Sequence, residues 1–230
     1  LVLSSERGTP LFRPKTFMPA MDEIMQIENQ DGYYMLKASP SLRAVPVKVL
    51  RSLMERNLDL LYSFQQILAP EESDDVLASC LSACERRSAA TRRGRNADIC
   101  TQSGLLEMVR SGLLSDHLEA FPSFSAPEMR MLLETLRDRS LDKNDPYRLY
   151  ILKKDVTEKL SVLGLTRSGE IMFGYNEALH RVGLFDHIMM QNEEFCNIFL
   201  NYIENHLLPH YAMSEKEATT YLNMLIRKVS

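Results

Sequence analysis

Histidine is the first place to look for chemistry in this chain, because its ring can ligate a metal or move a proton near neutral pH. There are five. His206 and His210 stand four residues apart, the spacing at which two rings on one helix face can hold zinc. Pro209 interrupts the helix between them, and Leu207 follows His206 where a zinc-protease helix carries its glutamate, so no metal ligand set is expected. Cys80 and Cys84, also four apart, read as small residues on a buried helix face in preference to a redox pair. Together with Cys100 and Cys196 they form no C-x-x-C pair, so reduced thiols and a cytoplasmic location are expected. With 9 glycines the chain has little material for chemical loops, and it contains no G-x-S-x-G, G-x-x-x-x-G-K or G-x-G-x-x-G. No catalytic residue and no cofactor are assigned, and any cofactor-binding residues stay unknown.

The stretch His180 to His187, HRVGLFDH, resembles the H-x-K-x4-D motif of phospholipase D-like enzymes, but Val182 replaces the lysine and Asp186 arrives one residue early. A hydrogen-bonded core pair is the preferred reading of His180 and Asp186. A phosphodiesterase-like enzyme, or an inactive relative of one, is the alternative. Arg86, Arg87, Arg92, Arg93 and Arg95 follow a stretch headed by Glu71, Glu72, Asp74 and Asp75. This pattern reads either as an anion or nucleic-acid patch or as a helix with acids at its positive end and arginines at its negative end, stopped by Gly94. The second is preferred, since no aromatic residues interleave to stack bases. The net charge of −4 gives no support for general binding to nucleic acid or to a membrane surface. Thirteen methionines with no tryptophan suit core filling first. A protein-interaction scaffold with a methionine-rich surface is the third functional class.

The elements that must position these residues follow from periodicity and punctuation. Residues 1 to 30, with Pro10, Pro14, Pro19 and Gly8, read as a linker or arm, Met21 to Glu28 offering a short helix. Residues 31 to 230 read as a single domain. Strands are expected at Tyr33 to Ala38, Asp98 to Thr101, Tyr147 to Leu152, Leu160 to Leu165 and Glu170 to Phe173. A long helix is expected from Pro46 to Leu68, apolar on more than one side, which suits either a central helix or a subunit interface; the dimer interface is the preferred reading. On that expectation Leu53→Glu and Leu61→Glu would give soluble monomer.

Ser103 caps an expected helix that ends at Gly112, and Ser125 with Glu128 forms a capping box ahead of Met129, Leu132, Leu133 and Leu136. A short helix is expected from Asn176 to His180. Asn192 opens another, with Phe195, Ile198, Phe199, Tyr202 and Ile203 on one face, ended by Pro209. Ser214 and Glu217 box the last helix, whose stripe is Ala218, Tyr221, Leu222 and Leu225. The fold class is therefore helix-rich mixed α/β, one small mixed sheet packed against about seven helices. No apolar run is long enough to span a membrane.

The order T-x-S-G-L-x-x-apolar-x-x-x-G-x-apolar-[ST]-D, here Thr101 to Asp116, followed by SAPEMRMLLETLRD and closing on SEKEATTYLNMLIRKV, resembles the C-terminal effector region of Firmicute-type regulators with a Cro/CI-like (XRE) helix-turn-helix. The likeness covers residues 30 to 229. It implies a bacterial, non-enzymatic sensing and dimerisation domain that touches DNA only through a domain upstream of this chain, and that answers to a small-molecule or peptide effector. The chain departs from those regulators in offering no helix-turn-helix of its own. The absent initiator Met and the Pro-rich opening agree with a missing part before Leu1.

Overall fold

A computed structural model describes residues 26–59, 76–92, 94–114, 123–154, 162–174 and 187–229. Its centre is a six-stranded sheet built from β1 (Tyr33–Lys37), β2 (Asn96–Thr101), β3 (Tyr147–Leu152), β4 (Val162–Leu165), β5 (Glu170–Gly174) and β6 (His187–Gln191), in the spatial order β3-β2-β1-β4-β5-β6. The halves differ in sense. β1, β2 and β3 run parallel, with Met35 opposite Asp98 and Asp98 opposite Leu149. β4 lies antiparallel to β1, and β5 and β6 continue as an antiparallel meander. Parallel strands need long crossovers, and helices fill them: α1 (Val47–Glu55) and α2 (Val76–Ala90) between β1 and β2, α3 (Gln102–Ser111) and α4 (Ala126–Leu141) between β2 and β3. After β6 come α5 (Glu193–Tyr202), a π-turn (Ile203–Leu207), α6 (Leu208–Tyr211) and α7 (Glu215–Lys228). The expected class holds, mixed α/β and rich in helix.

Strand alternation divides the core in two. Cys100, Tyr147, Leu149 and Ile151 face one layer with Leu50 and Leu53 of α1, Leu105 and Met108 of α3, the stripe of α4 and Leu222 and Leu225 of α7. Leu36, Ile99, Leu152, Leu165 and Ile171 face the other, where Cys196 and Leu200 of α5, then Ile203 and Leu207 of the π-turn, form the cover. β2 is buried at all six positions, as a central parallel strand must be.

Local signals at helix ends are obeyed closely. Glu128 accepts the Ser125 N–H at 2.8 Å, and Glu217 accepts the Ser214 N–H at 2.8 Å, closing both expected boxes. Gly112 ends α3 with φ +74°, a left-handed conformation that glycine adopts without strain. The stripes of α4 and α7 are buried as expected.

Five expectations need correction. The helix from Pro46 breaks at the Arg56–Asn57 turn after nine residues, where the Asn57 side chain donates to Leu53 O at 2.7 Å; Leu61, Phe64 and Leu68 lie outside the described residues. Leu50 and Leu53 are sealed between α1, α2 and α4, so they hold the monomer together and form no interface. The cap of α3 is Thr101, not Ser103. α2 ends at Ala90, four residues before Gly94, and Arg87 turns inward to Glu28, so the arginine run is no single patch. The fold also begins before residue 31, since Ile27 packs with Tyr33, Met35 and Met172. β6 was not foreseen. The stretch Asn176 to Asp186, with His180, lies outside the described residues.

Candidate functional site

Three places combine polar chemistry with defined geometry. The first is a sealed cluster on the α1 side of the sheet, around Asp98. Its carboxylate accepts the Ser41 N–H at 2.8 Å, the Ser41 hydroxyl at 2.7 Å, Arg43 Nη2 at 2.7 Å and the Tyr147 hydroxyl at 3.1 Å. Arg43 also donates from Nη2 to Ala97 O at 3.1 Å, and its guanidinium lies 4.3 Å over the Tyr33 ring. Both charges are fully buried. Burial alone would push Asp98 upward; the Arg43 charge, with hydrogen bonds from Arg43 and Ser41, holds it below the usual carboxylate range. Burial pushes the Tyr33 and Tyr147 hydroxyls well above theirs. A carboxylate held ionised and two phenols held neutral, all buried, make a clamp, not an acid–base site. The cluster fastens Ser41–Arg43 onto β1 and β2.

The second place is the β2–α3 turn, the heart of the T-x-S-G block. Thr101 Oγ1 accepts the Gly104 N–H at 3.0 Å and the Ser103 hydroxyl at 3.2 Å, and Tyr221 donates to Gln102 O at 2.7 Å. A Cβ at Gly104 would lie 2.0 Å from Ala38 O, so glycine is required for α3 to start against the end of β1. The first turn of α3 is thus satisfied by its own cap and pressed onto β1. Its geometry explains the sequence block by packing.

The third place is the outer face of α5 and α6. Asn192 caps α5, its side chain accepting the Phe195 N–H at 3.0 Å. The inward stripe is Cys196, Leu200, Ile203 and Leu207, whereas Ile198 is 61% exposed and Tyr202 50%. Both were expected to share one face with Phe195, Phe199 and Ile203, of which only Ile203 is buried. The helix also runs through Pro209: Pro209 has no N–H for the Asn205 carbonyl, and the chain widens into a π-turn, in which Leu208 N–H bonds Ile203 O. Through that turn the rings of Tyr202, His206 and His210 stack in one line, at 6.0 and 6.1 Å between centroids. His206 and His210 therefore do share a face, against expectation. His210 Nδ1 donates to His206 O at 2.8 Å, so that nitrogen carries a proton. Among the described residues no group of three or more His, Cys, Asp or Glu is placed to hold a metal.

The row Glu194, Ile198, Tyr202, His206, His210 is solvent-facing at every position, with Glu193, Asn197, Asn201 and Asn205 exposed beside it. A shallow depression lies among Glu193, Glu194, Asn197, Ile198 and Asn201. Beneath the row, Glu204 accepts the Tyr34 hydroxyl at 2.8 Å and pairs with Arg167, which ties the helix to β1 and to the β4–β5 turn. Burial, with the Glu204 hydrogen bond, pushes the Tyr34 hydroxyl up to about 12. The constant four-residue spacing was visible in the sequence. Periodicity alone also allowed the face Phe195, Ile198, Phe199, Tyr202 and Ile203, and only the packing shows that Cys196, Leu200, Ile203 and Leu207 turn inward. Comparison with family models, curated proteins and solved structures finds no match to this chain. No helix among the described residues is long and apolar enough to cross a membrane.

Proposed function

We propose that these residues form a non-enzymatic dimerisation and signal-sensing region of a transcriptional regulator, with DNA contact supplied by a domain outside this chain. The observation that carries the dimerisation half is the exposed Ile198 and Tyr202 on the helix covering the second core. Ile198, 61% exposed, and Tyr202, 50% exposed one turn on, form a contiguous apolar spot on a capped helix, and such a spot supports a partner. The regulator half rests on the resemblance of the block from Thr101 to Asp116, and of the segments SAPEMRMLLETLRD and SEKEATTYLNMLIRKV after it, to such effector regions. Signal coupling then requires an effector that binds two arrangements of the dimer unequally.

Native mass spectrometry of the purified chain tests this. A dimer carrying a discrete extra mass is expected. A bare monomer at every concentration would contradict both halves.

A further inference from the structure

We infer that the outer face of α5 and α6 pairs with the same face of a second copy of this chain, antiparallel about a two-fold axis at Tyr202. The inference rests on the dimer reading above and gives it a surface. Its ground is self-complementarity. Along the helix the row runs from acid to apolar to histidine: Glu194, Ile198, Tyr202, His206, His210. Tyr202 is the midpoint, eight residues from either end. Inverting the row about that point sets Glu194 against His210 of the partner subunit and Ile198 against His206 of the partner subunit. Tyr202 then meets its own copy.

Every position finds a suitable neighbour. A carboxylate meets an imidazole, which in its cationic form offers it both the Nε2–H and a charge, the Nδ1–H being held by His206 O. Isoleucine meets a flat ring, and the shallow depression beside Ile198 is where that ring would seat. A parallel pairing would set acid on acid and histidine on histidine. Antiparallel pairing also opposes the helix dipoles favourably. The π-turn matters here because the rings of Tyr202, His206 and His210 stack through it, so the histidine end of the row follows directly on Tyr202. An isologous contact of this kind closes on itself and stops at two copies. One helix face per subunit buries about 1,000 Å² in total, at the lower end of specific interfaces, so micromolar dissociation is expected.

A cysteine on a two-fold axis meets its own image, since facing helices at about 8–10 Å bring the two Cβ atoms within disulfide reach. Light scattering up to about 100 µM and oxidative cross-linking of the full chain, as Tyr202→Cys, as Met224→Cys and as wild type, test the arrangement. Met224 is exposed on α7, away from the row, and serves as the control. The expected result is a wild-type dimer, cross-linking of Tyr202→Cys at least about tenfold faster than of Met224→Cys, and an at least about 30-fold weaker dimer in Ile198→Lys. A wild-type dimer in which Tyr202→Cys cross-links no faster than the control, or Ile198→Lys dimerises normally, overturns this surface and leaves the dimer reading standing. A wild-type monomer throughout overturns both.

Discussion

The helices α1 and α5 have opposite fates. Each is short, and each carries apolar residues off its main stripe. α1 lies between α2 and α4, which bury Val49, Leu50, Leu53 and Met54 from several sides. α5 has the sheet on one side and solvent on the other, so only Cys196 and Leu200 are fully covered. A broad apolar surface thus says that a helix needs several neighbours, not that one of them is another subunit. The uncovered surface belongs to the helix whose layer has no outer cover among the described residues.

The largest test of the contrast is a pair of truncations. Leu53→Ala should cost about 3–5 kcal/mol in chemical denaturation, because a cavity opens where no neighbour can relax into it. Ile198→Ala should change the stability of the monomer by less than about 0.5 kcal/mol. Comparable costs at the two sites would erase the distinction.

Next is the buried pair on the α1 side. Asp98→Ala should cost about 3–5 kcal/mol, leaving Arg43 charged in the interior without its carboxylate. The double variant Arg43→Met with Asp98→Leu should recover much of that loss in the same denaturation series. If the double variant is the weaker, the clamp contributes more than satisfied burial.

Gly104→Ala should follow at about 2–3 kcal/mol, since the added methyl meets the Ala38 carbonyl of β1, which is held in the sheet. A neutral outcome would mean that the start of α3 is free to shift.

The smallest effect lies at the start of α4. Burial would raise Glu128, but hydrogen bonds from Arg56, Ser52 and Ser125 hold it at about 2 against an ordinary 4.5. A depressed carboxyl contributes stability that is fully present above about pH 4.5 and is lost as pH falls toward 2. Glu128→Gln should therefore be about 1–2 kcal/mol less stable at pH 7, and its thermal midpoint should converge on that of the wild type as pH approaches 2. A gap that persists in acid would assign the effect to packing.

Elements with strong local punctuation were legible in the sequence. β3, the Ser125–Glu128 and Ser214–Glu217 boxes, the Gly112 stop and the stripes of α4 and α7 all declare themselves within a few residues. What long-range packing decides was not legible. Which side of α5 faces the sheet depends on β1 and β5, more than 20 residues away in sequence. The Arg43–Asp98 pair joins residues 55 apart, with no local signal at either. Pro209 looked like a stop because a proline ends an ordinary α-helix; a π-turn supplied another solution. The outer row of α5 and α6 was readable as a four-residue repeat, yet its meaning depends on knowing that no element among the described residues packs over it.

The most direct test of the account is the concentration dependence of the thermal midpoint, measured for the wild type and for Ile198→Lys. A native state that is dimeric through α5 gains stability by mass action, so the wild-type midpoint should climb across a hundredfold range of about 1–100 µM while that of Ile198→Lys stays flat. Equal slopes in the two proteins, whether rising or flat, would contradict the account.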